Sequence, residues 1–204
     1  MSDELSALRN QPRQRRSEET VRRIIEAAGR AFGERGFDAA TMTDVALDAE
    51  VSTGSMYHFF PDKLALAKAV CEEYRATALA MLEAMAPRLD SVDDIGPLID
   101  LAIEWVRASF ERSPGFVALA MHPGQELSAY IRAEIQAPQI DVVRSLIDGL
   151  DPAIDAERRA TVAAVVVSSL GPLVFAARRN GLDDEVHMRE VKAMVTAYLQ
   201  AVLR

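Results

Sequence analysis

Hydrophobic residues recur along most of this chain at intervals of three and four positions, the spacing of a helix with one buried face. Near the N terminus the pattern includes Ile24, Ala28 and Phe32, and it predicts a helix that begins near Ser17 and ends at Gly36. Similar segments continue to the C terminus, separated by short breaks that contain proline or glycine. No strand-like alternation interrupts them, so the pattern predicts an all-α protein.

One segment, residues 41–63, has a different balance of side chains: TMTDVALDAEVSTGSMYHFFPDK. Thr41 and Ser52 can each cap the start of a short helix, and a tight turn would join the two helices. In the second helix the larger apolar side chains can face inward. The outward face then consists of Thr53, Gly54, Ser55, Tyr57 and His58. A thin, uncharged helix face that can form hydrogen bonds suits insertion into a DNA major groove, so this segment predicts a helix-turn-helix.

The same segment resembles the DNA-binding signature of the TetR family of one-component transcriptional regulators. The matching residues are Ala46, residues 51–60, Asp62, Lys63 and Leu66. The resemblance extends from about Glu18 to Val70. It implies an N-terminal three-helix helix-turn-helix DNA-binding domain, followed by a larger C-terminal helical domain that binds a ligand and dimerises.

The chain departs from the family pattern at the turn, where family members usually have glycine and this chain has Glu50. If Glu50 adopts a left-handed conformation, it costs about 1 kcal/mol relative to glycine. Its carboxylate would also mildly oppose nearby DNA phosphates.

Three regions are expected. Residues 1–16 form a flexible basic arm, residues 17–63 the helix-turn-helix DNA-binding domain, and residues 64–204 the ligand-binding and dimerisation domain. A long helix capped by Asp62 would connect the last two regions and end at Pro87.

The net charge of −8 is unevenly distributed. Residues 9–23 contain six arginines and two glutamates, whereas residues 64–204 contain 14 basic and 20 acidic side chains. Because attraction to phosphates is screened within about 10 Å, a basic arm can serve an acidic protein. We therefore expect the arm to contact phosphates; the alternative is a disordered, solubilising terminus.

The predicted DNA-binding residues are Arg15, Arg16, Thr43, Thr53, Gly54, Ser55, Tyr57, His58 and Lys63. The small residues at the start of the second helix would reach base edges, a role compatible with ordinary helix capping. The tyrosine, histidine and lysine are placed for phosphates, and the resemblance implies backbone contacts for the tyrosine and the lysine. For Thr43 the resemblance implies a base or phosphate contact.

Aromatic and methionine residues in the second domain are candidates for an adaptable apolar pocket. They are Met81, Met85, Trp105, Phe110, Met121, His122, Tyr130 and Phe175. The alternative for each of them is a place in the ordinary hydrophobic core.

The resemblance implies that the last two helices form a four-helix bundle with their copies in a second subunit. The candidate interface residues are Val165, Ser169, Val191, Val195, Tyr198 and Val202. The partners expected are therefore a double-stranded DNA operator, a small-molecule effector and a second copy of this chain.

Little in the sequence favours catalysis. The three histidines are scattered without metal-ligand spacing, and the single cysteine, Cys71, has no nucleophile motif around it. We expect no metal, no cofactor and no enzymatic activity. The N terminus lacks the apolar core of a signal peptide, and no apolar run is expected to be long enough to span a membrane, which favours a cytoplasmic protein.

These features predict a ligand-responsive regulator, most simply a repressor that binds a palindromic operator as a homodimer and that a small apolar or amphipathic effector releases. Activation by the ligand remains open. Two other hypotheses are a ligand-independent DNA-binding dimer, whose second domain only dimerises, and a small helical enzyme or carrier.

Overall fold

The computed structural model describes residues 15–89, 95–181 and 184–203, and within these ranges the chain forms ten α-helices and no strand. The helices are α1 (Arg15–Ala39), α2 (Met42–Asp48), α3 (Thr53–Phe59), α4 (Lys63–Leu89), α5 (Ile95–Arg112), α6 (Pro114–Ala120), α7 (Gln125–Tyr130), α8 (Ala137–Leu150), α9 (Ala156–Asn180) and α10 (Asp184–Val202). A π-helical segment, Ile131–Gln136, connects α7 directly to α8. The all-α prediction is confirmed. Most of the predicted basic arm lies outside the described residues.

The chain forms two compact units, and neither is continuous in sequence. Within the described ranges, the first unit contains residues 15–77 and 110–132, and the second contains residues 78–109 and 133–203. The predicted domain boundary after residue 63 lies inside the first unit. The helix-turn-helix therefore belongs to a unit that also includes the first half of α4 and the helices α6 and α7.

Helix α1 forms the core of the first unit. Ile24 and Phe32 on its inward face are completely buried, as the periodic pattern predicted. Its helical geometry is interrupted at Gly36, where φ is 79° and ψ is 165°. This conformation suits glycine, and one more turn follows before α2 begins.

Helix α6 packs against α1 through backbone atoms. A Cβ atom built on Gly115 would lie 2.4 Å from the carbonyl oxygen of Gly29, so no side chain fits at Gly115 without displacing one helix. A Cβ on Gly33 would lie 3.3 Å from the backbone of Pro114. These glycines allow an unusually close approach of the two helices.

In the second unit, α8 and α10 both pack against α9. Two ion pairs join α5 to α10: Arg107 Nη2 lies 2.8 Å from Asp184 Oδ2, and Lys192 Nζ lies 2.6 Å from Asp100 Oδ1. Arg159 holds the connection between α8 and α9, because its guanidinium contacts Asp148 Oδ1 at 2.5 Å and donates to the carbonyl of Ile154 at 2.8 Å.

Helix α9 is unusually apolar. The expectation that no segment matches a membrane span in length and apolarity is wrong for residues Ala156–Ala176, which meet both criteria. This is only a weak indication of a membrane, because core helices of soluble proteins meet the same criteria. Only 22% of the most apolar window is buried within the chain, so much of this apolar surface is uncovered.

Candidate nucleic-acid interface

Two side-chain caps define the helix-turn-helix. Thr41 Oγ1 accepts a hydrogen bond from the backbone N–H of Asp44 at 3.1 Å, and Ser52 Oγ accepts one from the N–H of Ser55 at 3.1 Å. Each cap satisfies a backbone donor that a helix start leaves without an intrahelical partner. Both predicted caps are confirmed.

The turn between the two helices closes at Glu50, whose φ is 54°. Its N–H donates to the carbonyl of Leu47 at 3.0 Å, and the N–H of Val51 donates to the carbonyl of Ala46 at 2.9 Å. Among the described residues Glu50 is the only non-glycine with a positive φ, so the left-handed conformation considered for it is the one observed. Its carboxylate is exposed and lies 3.9 Å from Arg23 Nη1.

Helix α3 is divided as its sequence predicted. Met56 and Phe60 are completely buried, and Phe59 is 9% exposed, which fixes the helix to the core. All five outward residues, Thr53, Gly54, Ser55, Tyr57 and His58, are exposed. The structure therefore presents a continuous face of hydroxyl, imidazole and backbone groups.

The other candidate DNA contacts lie on neighbouring elements. Thr43 is exposed in the first turn of α2, and Arg15 and Arg16 are exposed at the start of α1. Arg35 pairs with two acids of α2, Asp44 and Asp48, at 3.2 Å each. These pairs fix α2 against α1 and neutralise one side of α2.

Lys63 has a structural role that the sequence did not suggest. Its ammonium donates to the carbonyls of Phe37 at 2.8 Å, Asp38 at 3.0 Å and Ala40 at 3.1 Å. An ammonium has three protons, and all three are used here. A phosphate contact by Lys63 would require it to give up one of these bonds.

The eight candidate ligand residues are divided between the two units. Phe110, Met121, His122 and Tyr130 belong to the first unit, where the Phe110 ring lies near those of Tyr74 and Phe116. The hydroxyl of Tyr130 donates to Glu72, and Met121 is 42% exposed. His122 contacts Phe37 and Asp38. Trp105, by contrast, belongs to the second unit.

The second unit contains an apolar cleft with a volume of about 140 Å³. Its lining residues are Leu82, Leu98, Leu101, Ala102, Trp105, Val106, Gln139, Val142, Val143, Leu146, Val166, Val167 and Leu170. Of the candidate ligand residues whose side chains the structure describes, only Trp105 belongs to this lining. Met81 accepts a weak hydrogen bond from Ser109 Oγ at 3.8 Å, and Phe175 is half-buried. The side chain of Met85 lies outside the described part of the structure.

The sequence feature that could have predicted this cleft is a row of residues at helical spacing in α8, not the aromatic residues. Gln139, Val142, Val143 and Leu146 recur at helical spacing and line one wall. Trp105 is the largest lining side chain, but its Nε1–H already donates to the carbonyl of Ala78 at 3.1 Å. The indole therefore supplies an apolar surface instead of a polar contact.

Two models of known families match this chain. One, described as bacterial regulatory proteins of the tetR family, matches residues 24–70, and the other, a tetracyclin repressor-like C-terminal domain, matches residues 94–199. The second match alone covers more than half of the chain. The chain belongs to the TetR family. Its helix-turn-helix is therefore the DNA-binding element of a transcriptional regulator.

Curated relatives match this TetR-family regulator over shorter stretches. The HTH-type transcriptional regulator TtgR of Pseudomonas putida is 35% identical over 82 residues, which are 40% of this chain and 37% of TtgR. The A-factor receptor protein of Streptomyces griseus is 32% identical over 65 residues, which are 32% of this chain and 24% of the receptor. Each match thus spans less than two fifths of the relative's own length.

Solved structures share the fold over nearly the whole chain. A TetR-family regulator from Streptomyces coelicolor has a TM-score of 0.63 at 24% identity and covers 90% of this chain and 99% of its own. A TetR-family regulator from Pectobacterium atrosepticum has a TM-score of 0.66 at 23% identity and covers 93% of this chain and 97% of its own. At these identities the likeness supports the fold of the regulator alone.

The candidate dimer residues of this regulator fall into two groups. Val191, Val195 and Val202 are buried within the single chain, so they pack inside the protomer and not on a surface open to a partner. Val165 and Tyr198 are 42% and 37% exposed, and Ser169 is half-buried. Helix α10 has apolar residues on more than one side, and the sequence pattern did not distinguish the inward side from the outward one.

Two ionisable groups of the regulator have shifted pKa values. Burial, with a smaller effect of Glu72, raises the pKa of the Cys71 thiol to about 12, so this thiol stays protonated and is a poor nucleophile. Partial burial raises the pKa of Glu73, and Glu26 raises it further while Arg22 lowers it. Within the described ranges no group of three or more histidine, cysteine or acidic residues is arranged to hold a metal ion.

Proposed function

We propose that this protein is a cytoplasmic, homodimeric repressor that binds a palindromic operator through α3 and is released when a small apolar effector occupies the cleft of the second unit. The observation that carries the proposal is this cleft, whose described lining consists of one amide side chain and twelve apolar residues. A cleft of this kind, with few polar groups, is typical of a small-molecule site. A domain that only dimerised would have no need of it.

The outward face of α3 supports reading of an operator in the major groove. Thr53 and Ser55 have hydroxyls that can donate or accept, and Gly54 lets the backbone approach the base edges. Tyr57 and His58 are exposed on the same helix and would contact phosphates. With so few base contacts, specificity would depend strongly on two half-sites about 34 Å apart.

The uncovered apolar surface of α9 and α10 supports a dimer. Val165 is exposed on α9, and Met194 and Tyr198 are 50% and 37% exposed on α10. Met194 and Tyr198 are four residues apart, so they lie on one side of the helix. A second copy of this surface would cover it, as expected of an isologous dimer.

The lining of the cleft favours an uncharged effector. With the Trp105 N–H already engaged, Gln139 supplies the only other side-chain polar group among the lining residues that the structure describes. Transfer of a charged group into such surroundings is costly without a partner. We therefore propose an apolar chain or ring that has at most one polar group, placed near Gln139.

The experiment begins with DNA selected by the wild-type protein from a random-sequence library, and light scattering measures the mass of the complex. We expect a palindromic sequence and two chains bound to it. Failure to select any sequence would contradict operator binding. A single bound chain would contradict the dimer.

The effector is tested by thermal shift with 1-octanol, octanoate and octyltrimethylammonium, because a ligand that binds the folded state raises its melting temperature. We expect stabilisation by the alcohol alone, loss of it in Ala102→Leu, which partly fills the cleft, and release of the selected DNA by the alcohol. Stabilisation by a charged probe would contradict the uncharged class. If 1-octanol neither stabilises the protein nor releases the DNA, an apolar effector of this size is wrong and the ligand-independent dimer is favoured.

A further inference from the structure

The α1–α2 connection, defined as the last turn of α1 after Gly36 together with Ala40, determines where the helix-turn-helix begins. It follows Gly36 and contains Phe37 and Asp38, with the N–H of Ala40 donating to the carbonyl of Gly36 at 3.3 Å. Residues 37–40 direct the chain from the core helix into α2. A shift here would therefore move α2 and α3 together.

Lys63 ties the other end of the helix-turn-helix to this connection. It is the first residue of α4, four positions after α3 ends, and its ammonium donates to three carbonyls of the connection. The ammonium also lies 4.6 Å from the centre of the Phe37 ring, a cation–π distance. The residues just before α2 and just after α3 are therefore bonded to each other.

His122, in the loop after α6, contacts the same connection. Its ring centre lies 4.7 Å from that of Phe37, with an edge-on angle of 61°, and its Nε2 lies 3.1 Å from Asp38 Oδ1. The N–H of Gly124 donates to Nδ1 at 3.0 Å. Since Nδ1 accepts this hydrogen bond, Nε2 carries the N–H that donates a hydrogen bond to Asp38 Oδ1.

Gly124 makes room for this arrangement. A Cβ atom built on Gly124 would lie 2.6 Å from Cε1 and 2.7 Å from Nδ1 of His122. Any larger residue at Gly124 would therefore push the imidazole away. The position of the ring therefore depends on Gly124 as well as on Asp38.

We propose that His122 is a positioning residue for DNA binding: through Phe37 and Asp38 it fixes the α1–α2 connection, and with it the orientation of α3. The proposal rests on α3 being the surface that reads the operator. The bond to Asp38 adds little to global stability, because the Asp38 carboxylate is 86% exposed. Its effect should therefore appear in DNA affinity more than in melting temperature.

The experiment measures the affinity of four variants for the DNA that the wild type selects from a random-sequence library. His122→Asn keeps an acceptor for the Gly124 N–H but cannot reach Asp38, and Gly124→Ala displaces the ring without altering it. Asp38→Asn removes the acceptor of the bond, and the fourth variant combines His122→Asn with Asp38→Asn. We expect each single variant to bind roughly three- to tenfold more weakly, and the double variant to bind no more weakly than His122→Asn.

The sign of the Asp38→Asn effect separates positioning from simple electrostatics. Removing a negative charge from a DNA-binding unit should by itself tighten binding. The matched control, Glu34→Gln, removes an exposed carboxylate from the same helix and should bind as well as the wild type or slightly better. Weaker binding by Asp38→Asn therefore supports the proposal.

Two results would overturn it. One is wild-type or tighter binding by His122→Asn and Asp38→Asn. The other is a loss of affinity that follows a matching drop in melting temperature in every variant, because that describes a residue needed only for folding. If the wild type selects no sequence at all, the operator proposal fails instead, so the two failures are distinguishable.

Discussion

Glu50 has a strained backbone conformation, and its side chain does little to offset the cost. Its φ of 54° closes the turn of the helix-turn-helix, where glycine would adopt the same conformation without a Cβ penalty. The pair with Arg23 is long and exposed, so it offsets little of this cost. The turn is held instead by its backbone hydrogen bonds and by the buried residues on either side of it.

Replacing Glu50 with glycine should therefore stabilise the protein. We expect Glu50→Gly to raise the free energy of unfolding by about 1 kcal/mol, measured by urea denaturation, because the left-handed strain disappears. Glu50→Ala is the control, since it removes the charge but retains the Cβ atom, and its stability should stay near that of the wild type. An equal gain in both variants would show that the charge, not the backbone, was responsible.

Side-chain hydrogen bonds were predictable from the sequence where donor and acceptor are only a few positions apart in the chain. The caps Thr41 and Ser52 each accept a bond from an N–H three positions ahead, so the sequence determines them. Lys63 and His122 differ because their partners are far away in the chain: Lys63 reaches carbonyls 23 to 26 residues before it, and His122 reaches Asp38 across 84. No periodicity of the sequence encodes such a contact.

At the scale of elements, the sequence predicted helix starts better than helix ends. Pro114 lies in the first turn of α6, where a missing N–H costs nothing. Pro87 was expected to stop α4, but the helix continues to Leu89. One lost hydrogen bond near a helix end is a smaller penalty than the same loss in its middle, and neighbouring turns can tolerate it.

The contact between α1 and α6 was not predictable, because glycine has no apolar side chain to mark a buried face. Gly115→Ala should lower the free energy of unfolding by about 1–3 kcal/mol, since the new Cβ would collide with the Gly29 carbonyl and neither backbone can rotate away.

Gly29→Ala is the matched control on the facing helix. A Cβ on Gly29 would meet no atom within 4 Å, and alanine favours a helix interior by roughly 0.5–1 kcal/mol. Urea denaturation of both variants should therefore give shifts of opposite sign. Equal destabilisation would show that the contact depends on flexible glycine and not on close approach.

At the scale of the whole molecule, composition and spacing predicted the fold class but not the grouping of side chains. The candidate ligand residues were selected for being aromatic or sulfur-containing, and tertiary packing placed half of them in the first unit. Likewise, Val191 and Val195 fit an apolar stripe of α10 that packs inside the protomer. A periodic pattern identifies an apolar face, but it does not identify what covers that face.

The assembly can be tested on the uncovered side of α10. Because Met194 is 50% exposed, Met194→Arg should leave the protomer folded while placing a charge in the proposed dimer interface. We expect a monomer by light scattering and a loss of operator affinity of at least about 100-fold, because two linked half-site contacts become one.

Gln200→Arg is the control for this substitution. It adds the same charge at an exposed position on the polar side of α10, and it should remain a dimer with unchanged affinity. If Met194→Arg also remained a dimer, the interface would lie elsewhere.

The π-helical segment between α7 and α8 has a consequence for how chain length can vary in this family. A π turn is an α-helix that has accepted one extra residue without rotating the turns that follow. Deleting one residue from Ile131–Gln136 would return the segment to ordinary helix, and Gln139, Val142 and Leu146 would still face the cleft. The same deletion inside α8 would turn every later side chain by about 100° and remove one wall of the cleft. Relatives one residue shorter in this segment can therefore retain the same cleft.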